Sequence, residues 1–264
     1  MSWVLARDAL YKEAMPPKRK APRSAKHARP AKAPPKPTAP PASSLYAGRG
    51  TLPFDADVAL AHLHDADRVL SRLMTRVHTN IGPFALRPQG LETPPFQALT
   101  EAILHQQVTG KAAMAILGRF QAAFGKNGAF PAPGSVVNAS DEALRAVGIS
   151  RSKAMAIRDL AAKSLDGTVP HADALVTMEE EVILERLTQV RGIGEWTVHM
   201  LLMFRLGRPD ILPVGDYGVR KGFARTFRTK AELATPGEIK ARAERWRPYR
   251  TVASWYLWRA LELK

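Results

Sequence analysis

The 264-residue chain contains no cysteine. That excludes disulfides, thiolate catalysis and any iron–sulfur cluster or zinc site held by cysteine. No apolar run approaches the roughly 18 residues a membrane-spanning helix needs, so no transmembrane segment is expected. Met1 to Met15 carries Arg7, Asp8, Lys12 and Glu13 and lacks the continuous apolar stretch of a signal peptide. Alternating polar and apolar residues are also missing, which argues against a sheet. The histidines show no metal-ligand spacing; His105 and His199 read as structural or solvent-facing.

What is present is positive charge. Lys and Arg number 39 against 24 Asp and Glu, a net charge of +15. Such an imbalance points to a polyanionic partner. Residues 16–42 hold eight of the basic residues, nine prolines and no acid. Residues 1–45 are therefore expected to be a disordered Pro/Ala/Lys-rich basic arm, serving either to contact phosphates or simply to keep the chain soluble. Trp3, Val4, Leu5, Leu10 and Tyr11 suit a short helix ahead of it. Setting the arm's eight charges aside leaves about +7 on the rest, so residues 46–264 are basic in their own right.

From about Leu45 the apolar spacing is helical throughout. Leu60, Leu63, Val69, Leu70 and Leu73 predict helix over Asp57–Val77. Further helices are predicted over Phe96–Gln107, Lys111–Phe124, Ser150–Ser164 and Arg250–Leu263. Ser140, followed by Asp141 and Glu142, heads a short helix that Gly148 ends. Thr177 with Glu180, and Thr235 with Glu238, match the capping box, predicting a helix over Thr177–Val190 and another from Pro236. The fold class expected is all-α.

Leu187 to Phe204 reads LTQVRGIGEWTVHMLLMF. One apolar helix ends at Val190 and another starts near Glu195, joined by Arg191-Gly192-Ile193-Gly194. Glycine permits backbone angles other residues avoid. The amides here can face outward at a helix start, a ready phosphate site, with Ile193 plugging the two helices together. This is a helix–hairpin–helix pattern; an ordinary corner between two helices fits the same residues. Twenty residues beyond Trp196 comes LPVGDYGVR, with Asp216 in a Pro/Gly-rich turn before an apolar helix. Asp216 fits two roles, a plain helix N-cap or a functional carboxylate.

Taken together, RGIGEWTVHMLLMF and LPVGDYGVRKGF resemble the helix–hairpin–helix DNA glycosylase superfamily, in the alkylation-repair form of DNA-3-methyladenine glycosylase II. AILHQQVTGKAA, VGISRSKAMAIRDLA and ERWRPYRTVASWYLWRAL add to the likeness, which runs over about residues 54–262. The resemblance implies two helical subdomains, 98–208 and 46–97 plus 209–264, with the active-site cleft between them. It implies Asp216 as the catalytic carboxylate, stabilising the oxocarbenium-like transition state of N-glycosidic bond cleavage and orienting or deprotonating water. Trp196 stands where bifunctional relatives carry a Schiff-base lysine, so an intact strand with an abasic site is the implied product. Lys221 does not match that lysine.

Trp196, Tyr217 and Tyr249 match aromatic positions of a pocket for cationic bases, though each also suits core packing. Met200 matches a position that is tyrosine in some relatives. Gln107 matches the wedge that fills the space of the flipped nucleotide, with Gln106 beside it; a surface polar residue is the plain alternative. Gly192, Gly194 and Trp196 match backbone-amide contacts to DNA. Carbonyls of Thr188, Val190 and Ile193 are implied to hold a Na+ or K+ ion, with no cofactor otherwise required and no iron–sulfur cluster. Glu101 lies near the catalytic glutamate of adenine-mismatch enzymes, although an exposed helix carboxylate is the simpler expectation. The implied partner is double-stranded DNA bearing alkylated bases, without a membrane and with the protein acting as a monomer. The expected location is the cytoplasm at a bacterial nucleoid, or the nucleus in a eukaryote. Two rivals remain open at this point: a non-catalytic helix–hairpin–helix DNA-binding protein, and a glycosylase for another lesion such as mismatched adenine.

Overall fold

The structure is a computed structural model that describes residues 50–264. The basic arm over 1–45 and its leading short helix fall outside the described residues. Every regular element described is helical: α1 (Ala56–Ala66), α2 (Arg68–Asn80), α3 (Pro95–His105), α4 (Gly110–Phe124), α5 (Pro133–Val136), α6 (Asp141–Ala146), α7 (Arg151–Leu165), α8 (Ala172–Thr177), α9 (Glu180–Thr188), α10 (Glu195–Phe204), α11 (Tyr217–Phe227), α12 (Pro236–Ala243), a 3-10 turn (Glu244–Trp246) and α13 (Arg250–Arg259). None is long and apolar enough to cross a membrane.

The helices pack in two sets. In the first, α3 rests on α4 and α7, α7 gathers α5 and α6, and α9 pairs with α10. In the second, α11 lies along α13, and both meet α2; α1 packs on α2, on α13 and on the 3-10 turn. The second set thus joins the beginning and end of the described chain. Its clasp is Asp67, whose carboxylate accepts from Arg242 Nε at 2.7 Å and Nη2 at 2.8 Å, and from Trp246 Nε1 at 3.1 Å. Burial works to raise the Asp67 pKa. The bonds from Arg242, Trp246 and the Leu70 amide outweigh it, and the carboxyl sits below its ordinary value.

Asp67 also corrects a boundary. The stretch Asp57–Val77 is helical but not continuous: Asp67 is extended at φ −148° and ψ 102°, and it caps α2 by accepting from Val69 N and Leu70 N. A second correction falls at Thr177. The helix expected from there to Val190 starts later, at Glu180, and ends at Thr188; Thr177 is the last residue of α8 and does not cap α9, whose N-cap is Glu179. Arg208 secures that end: its buried guanidinium donates through Nη2 to the carbonyls of Leu175 (3.1 Å), Val176 (2.9 Å) and Met178 (2.9 Å). The last carbonyls of a helix have no partner within it, so a cation there holds α8 closed at Thr177. By contrast, the Thr235–Glu238 capping box forms in full, and Ser140 caps α6.

Candidate active site

Asp216 sits in the tight turn after Pro213, where its amide donates to the Pro213 carbonyl at 2.9 Å. It does cap α11, with Oδ1 accepting from Val219 N at 2.8 Å. Capping is only part of its role. Oδ1 also accepts from Trp258 Nε1 at 2.8 Å, and Oδ2 accepts from Trp196 Nε1 at 2.7 Å. One indole comes from α10 and the other from α13, so the carboxylate stands where the two helix sets meet. At 2% exposure it is a buried acid held by three N–H donors. Donors from three separate elements fix the orientation of both oxygens.

Trp258 has no place in the sequence reading, yet it is a main support of the carboxylate. Its ring stacks on Phe204, the last residue of α10, with centroids 5.8 Å apart. It also lies against Gly218, where an added Cβ would come within 2.7 Å of Trp258 Cδ1 and 3.2 Å of Asp216 Oδ1. One helical turn on, a methyl at Gly222 would run into the Leu257 carbonyl. Gly218 and Gly222 therefore form a small-residue track that lets α13 approach α11 closely. The G-V-R-K-G spacing in the sequence is the signal that would have revealed it.

The hairpin is formed by α9, the 189–194 turn and α10. Ile193 is buried between the helices, and its amide donates to the Val190 carbonyl at 3.0 Å. Gly192 takes φ +79°, and a Cβ there would touch Ala156 at 3.3 Å. Gly194 differs from expectation: it caps α10 at φ −103° and ψ 169°, extended backbone open to most residues, with nothing near its missing Cβ. Its use is clearance, not backbone freedom. The amides of Gly192 and Gly194 donate to nothing among the described residues. Asp159 steadies the turn by accepting from Arg191 N at 2.6 Å.

Gln107 follows α3 in the left-handed region at φ 58°, with its side chain exposed. Its neighbour Gln106 reaches across to the hairpin, Nε2 donating to the Gly192 carbonyl at 2.9 Å. Lys153 Nζ donates to the Leu104 carbonyl at 2.7 Å, and burial pushes its pKa down. The loop bearing Gln107 is thus tied on one side to the hairpin and on the other to α7.

The remaining candidates scatter. Tyr217 begins α11 beside Asp216, with Lys221 Nζ 5.7 Å from its ring centre. Tyr249 packs on Phe54 and His62, with centroids 5.9 Å and 5.5 Å away, at the N-terminal end of α13. Trp258 lies nine residues further along that helix, about 13 Å at ~1.5 Å per residue. Met200 is buried in α10.

Glu101 is not the exposed carboxylate the sequence favoured. It accepts from Gln97 Nε2 at 3.0 Å and faces buried Arg205 at 3.7 Å. His105 bonds through Nδ1 to the Glu101 carbonyl at 2.8 Å. Burial pushes His199 below its ordinary pKa against the pull of Glu195, with Arg250 adding to the downward shift. Among the described residues no three acidic or histidine side chains cluster as a metal site would require.

Residues 100–248 match the family model described as HhH-GPD superfamily base excision DNA repair protein. DNA-3-methyladenine glycosylase 1 of Schizosaccharomyces pombe is 36% identical over 169 residues, covering 64% of this chain and 73% of that protein. DNA-3-methyladenine glycosylase 2 of Escherichia coli is 29% identical over 185 residues, covering 66% of this chain and 61% of that protein. The solved S. pombe 3-methyladenine DNA glycosylase in complex with abasic DNA superposes with a TM-score of 0.63 at 34% identity, covering 76% of this chain and 95% of that one. With a buried, indole-held aspartate following a glycine hairpin, and with these relatives beside it, the chain belongs to the HhH-GPD superfamily of base excision DNA repair proteins.

Proposed function

We propose that the chain is a monofunctional DNA glycosylase that hydrolyses the N-glycosidic bond of alkylated purines flipped out of duplex DNA, leaving an abasic site. The observation that carries this reading is the buried Asp216 carboxylate, set by two indole N–H groups and lying 22 residues beyond Gly194 of a hairpin that presents bare amides. The names of the relatives supply the lesion class.

Departure of an alkylated base leaves positive charge on the sugar. A fixed carboxylate in a dry site stabilises that charge without moving. The same carboxylate orients the attacking water. An alkylated purine is already cationic and departs readily, so no strong general acid is needed. Trp196 and Tyr217 flank the carboxylate as faces for the base, with Tyr249 further along the pocket wall. Gln107 takes the space the nucleotide vacates, and the hairpin amides at Gly192, Gly194 and Trp196 hold the phosphates.

A Na+ or K+ ion fits the hairpin turn. The carbonyls of Thr188 and Ile193 accept no hydrogen bond among the described residues, and that of Val190 accepts one. Such an ion would neutralise a phosphate oxygen at the turn. The protein acts as a monomer in this reading, with subdomains 98–208 and 46–97 plus 209–264 on either side of the bound base.

The test is release of free base from methylated duplex by the native chain and by Asp216→Asn. The native protein is expected to free 3-methyladenine and leave strands uncut until alkali is added. Borohydride is expected to trap no covalent adduct, because Trp196 offers no amine. The Asn variant is expected to bind DNA and release base at least about 100-fold more slowly. Equal DNA binding with no base release by either protein would sink the reading in favour of a binding module.

A further inference from the structure

At the far end of α11 from Asp216 lies a groove of 570 Å³ between α2, α11 and α13. Arg72, Arg76, Arg225, Arg228 and Arg242 line it, and no carboxylate does. Its floor is apolar, with Leu73, Phe227 and Leu263 among the lining residues.

Two of the five guanidinium groups are already engaged. Arg242 is paired with Asp67, and Arg225 donates to the Leu263 carbonyl at 2.6 Å. Those of Arg72, Arg76 and Arg228 make no hydrogen bond or ion pair among the described residues, and all three residues are exposed. Arg72 and Arg76 stand one turn apart on α2, where like charges repel. Arg228 is the C-cap of α11, in the left-handed conformation at φ 52°. Structural need does not account for three unanswered cations around one concavity, whereas an anionic ligand does.

Asp216 and Arg228 cap opposite ends of α11, an 11-residue helix, so about 18 Å separates them at ~1.5 Å per residue. The groove is therefore no part of the site built on Asp216, and the hairpin belongs to the other helix set. We infer that this arginine groove binds the phosphate backbone of a second DNA segment while the hairpin and Asp216 hold the first. The inference rests on the reading of the chain as a DNA-acting enzyme. Guanidinium forks match phosphate oxygens, and the apolar floor suits the sugar edges of a strand laid along it. Such a groove lets the protein take hold of a neighbouring duplex before releasing the one it has searched.

The experiment uses the full chain and a variant, R72A/R76A/R228A, whose fold is checked by circular dichroism. A complex with unlabelled abasic duplex at saturation is titrated with a fluorescent second duplex. The native complex is expected to capture the second duplex at low salt. The variant is expected to bind the first duplex and release base as before, but to hold the second at least tenfold more weakly. Its log affinity for the second duplex should fall less steeply with log salt, by a slope difference of about 2 to 3. The basic N-terminal arm is present in both proteins and cancels in the comparison. Equal capture of the second duplex by both proteins would overturn the inference. So would displacement by poly-glutamate of a fluorescent anionic peptide from the groove with no competition by duplex, which would make it a protein-docking surface. Loss of first-duplex binding by the native chain would instead indict the glycosylase reading.

Discussion

Gln106 donates a hydrogen bond from Nε2 to the carbonyl of Gly192, 86 residues away, at 2.9 Å. The bond ties the loop that carries Gln107 to the hairpin turn. In the proposed reading these two parts have separate tasks, displacing a nucleotide and gripping a strand, and the bond holds them in one register. Gln106→Ala is expected to lower the base-release rate several-fold. Its cost in stability should be no more than about 1 kcal/mol, as for a partly exposed hydrogen bond. Single-turnover assays beside thermal melts would check this. A melt depressed far beyond that cost would make the contact structural first.

The support of Asp216 by Trp258 can be probed from both sides. Trp258→Phe keeps the ring but removes the donor to Oδ1, and is expected to slow base release about tenfold while costing roughly 1.5–3 kcal/mol. Gly218→Ala leaves both partners in place but crowds the indole, and is expected to cost about 1–3 kcal/mol and to slow release as well. Full activity in Gly218→Ala would show that the indole can shift without disturbing the carboxylate.

The two hairpin glycines separate cleanly. Gly192→Ala forces a methyl into a positive-φ position against Ala156 and is expected to cost about 1–2 kcal/mol. Gly194→Ala meets no obstacle and should leave stability within about 0.5 kcal/mol. In the proposed reading a phosphate approaches the start of α10 there, so the methyl is expected to lower DNA affinity. Melting and anisotropy titrations on the same samples would distinguish the two; unchanged affinity in Gly194→Ala would remove that turn from the DNA interface.

Asp67 carries an acid-dependent share of stability. Its folded pKa lies below the unfolded value, so its contribution is full above roughly pH 4 and is lost as pH falls through the folded value. Asp67→Ala strands Arg242 and the Trp246 indole, and is expected to cost on the order of 3–5 kcal/mol at neutral pH. Denaturant melts from pH 7 down to 3 should show the gap between native and variant closing toward acid. A constant gap would mean that the carboxylate's charge is not what holds the clasp.

The all-helical class, the hairpin and the Asp216 turn were legible because each rests on local chemistry: helical apolar spacing, glycines in a short turn, an acid before an apolar helix. What escaped was set at long range. Nothing near Trp258 announces that its indole will meet a carboxylate 42 residues earlier. Arg208 holds the end of α8 at Thr177 from 30 or more residues away. Gly218 and Gly222 read as ordinary helix glycines until the approach of α13 explains them.

The clasp between Asp67 and Arg242 spans 175 residues, whereas the hairpin set is an unbroken stretch of chain from α3 to α10. Loop closure costs more as the loop grows, and local contacts form sooner than distant ones. The hairpin half is therefore favoured to assemble first, and the clasp at Asp67 closes only when the distant ends of the chain have met.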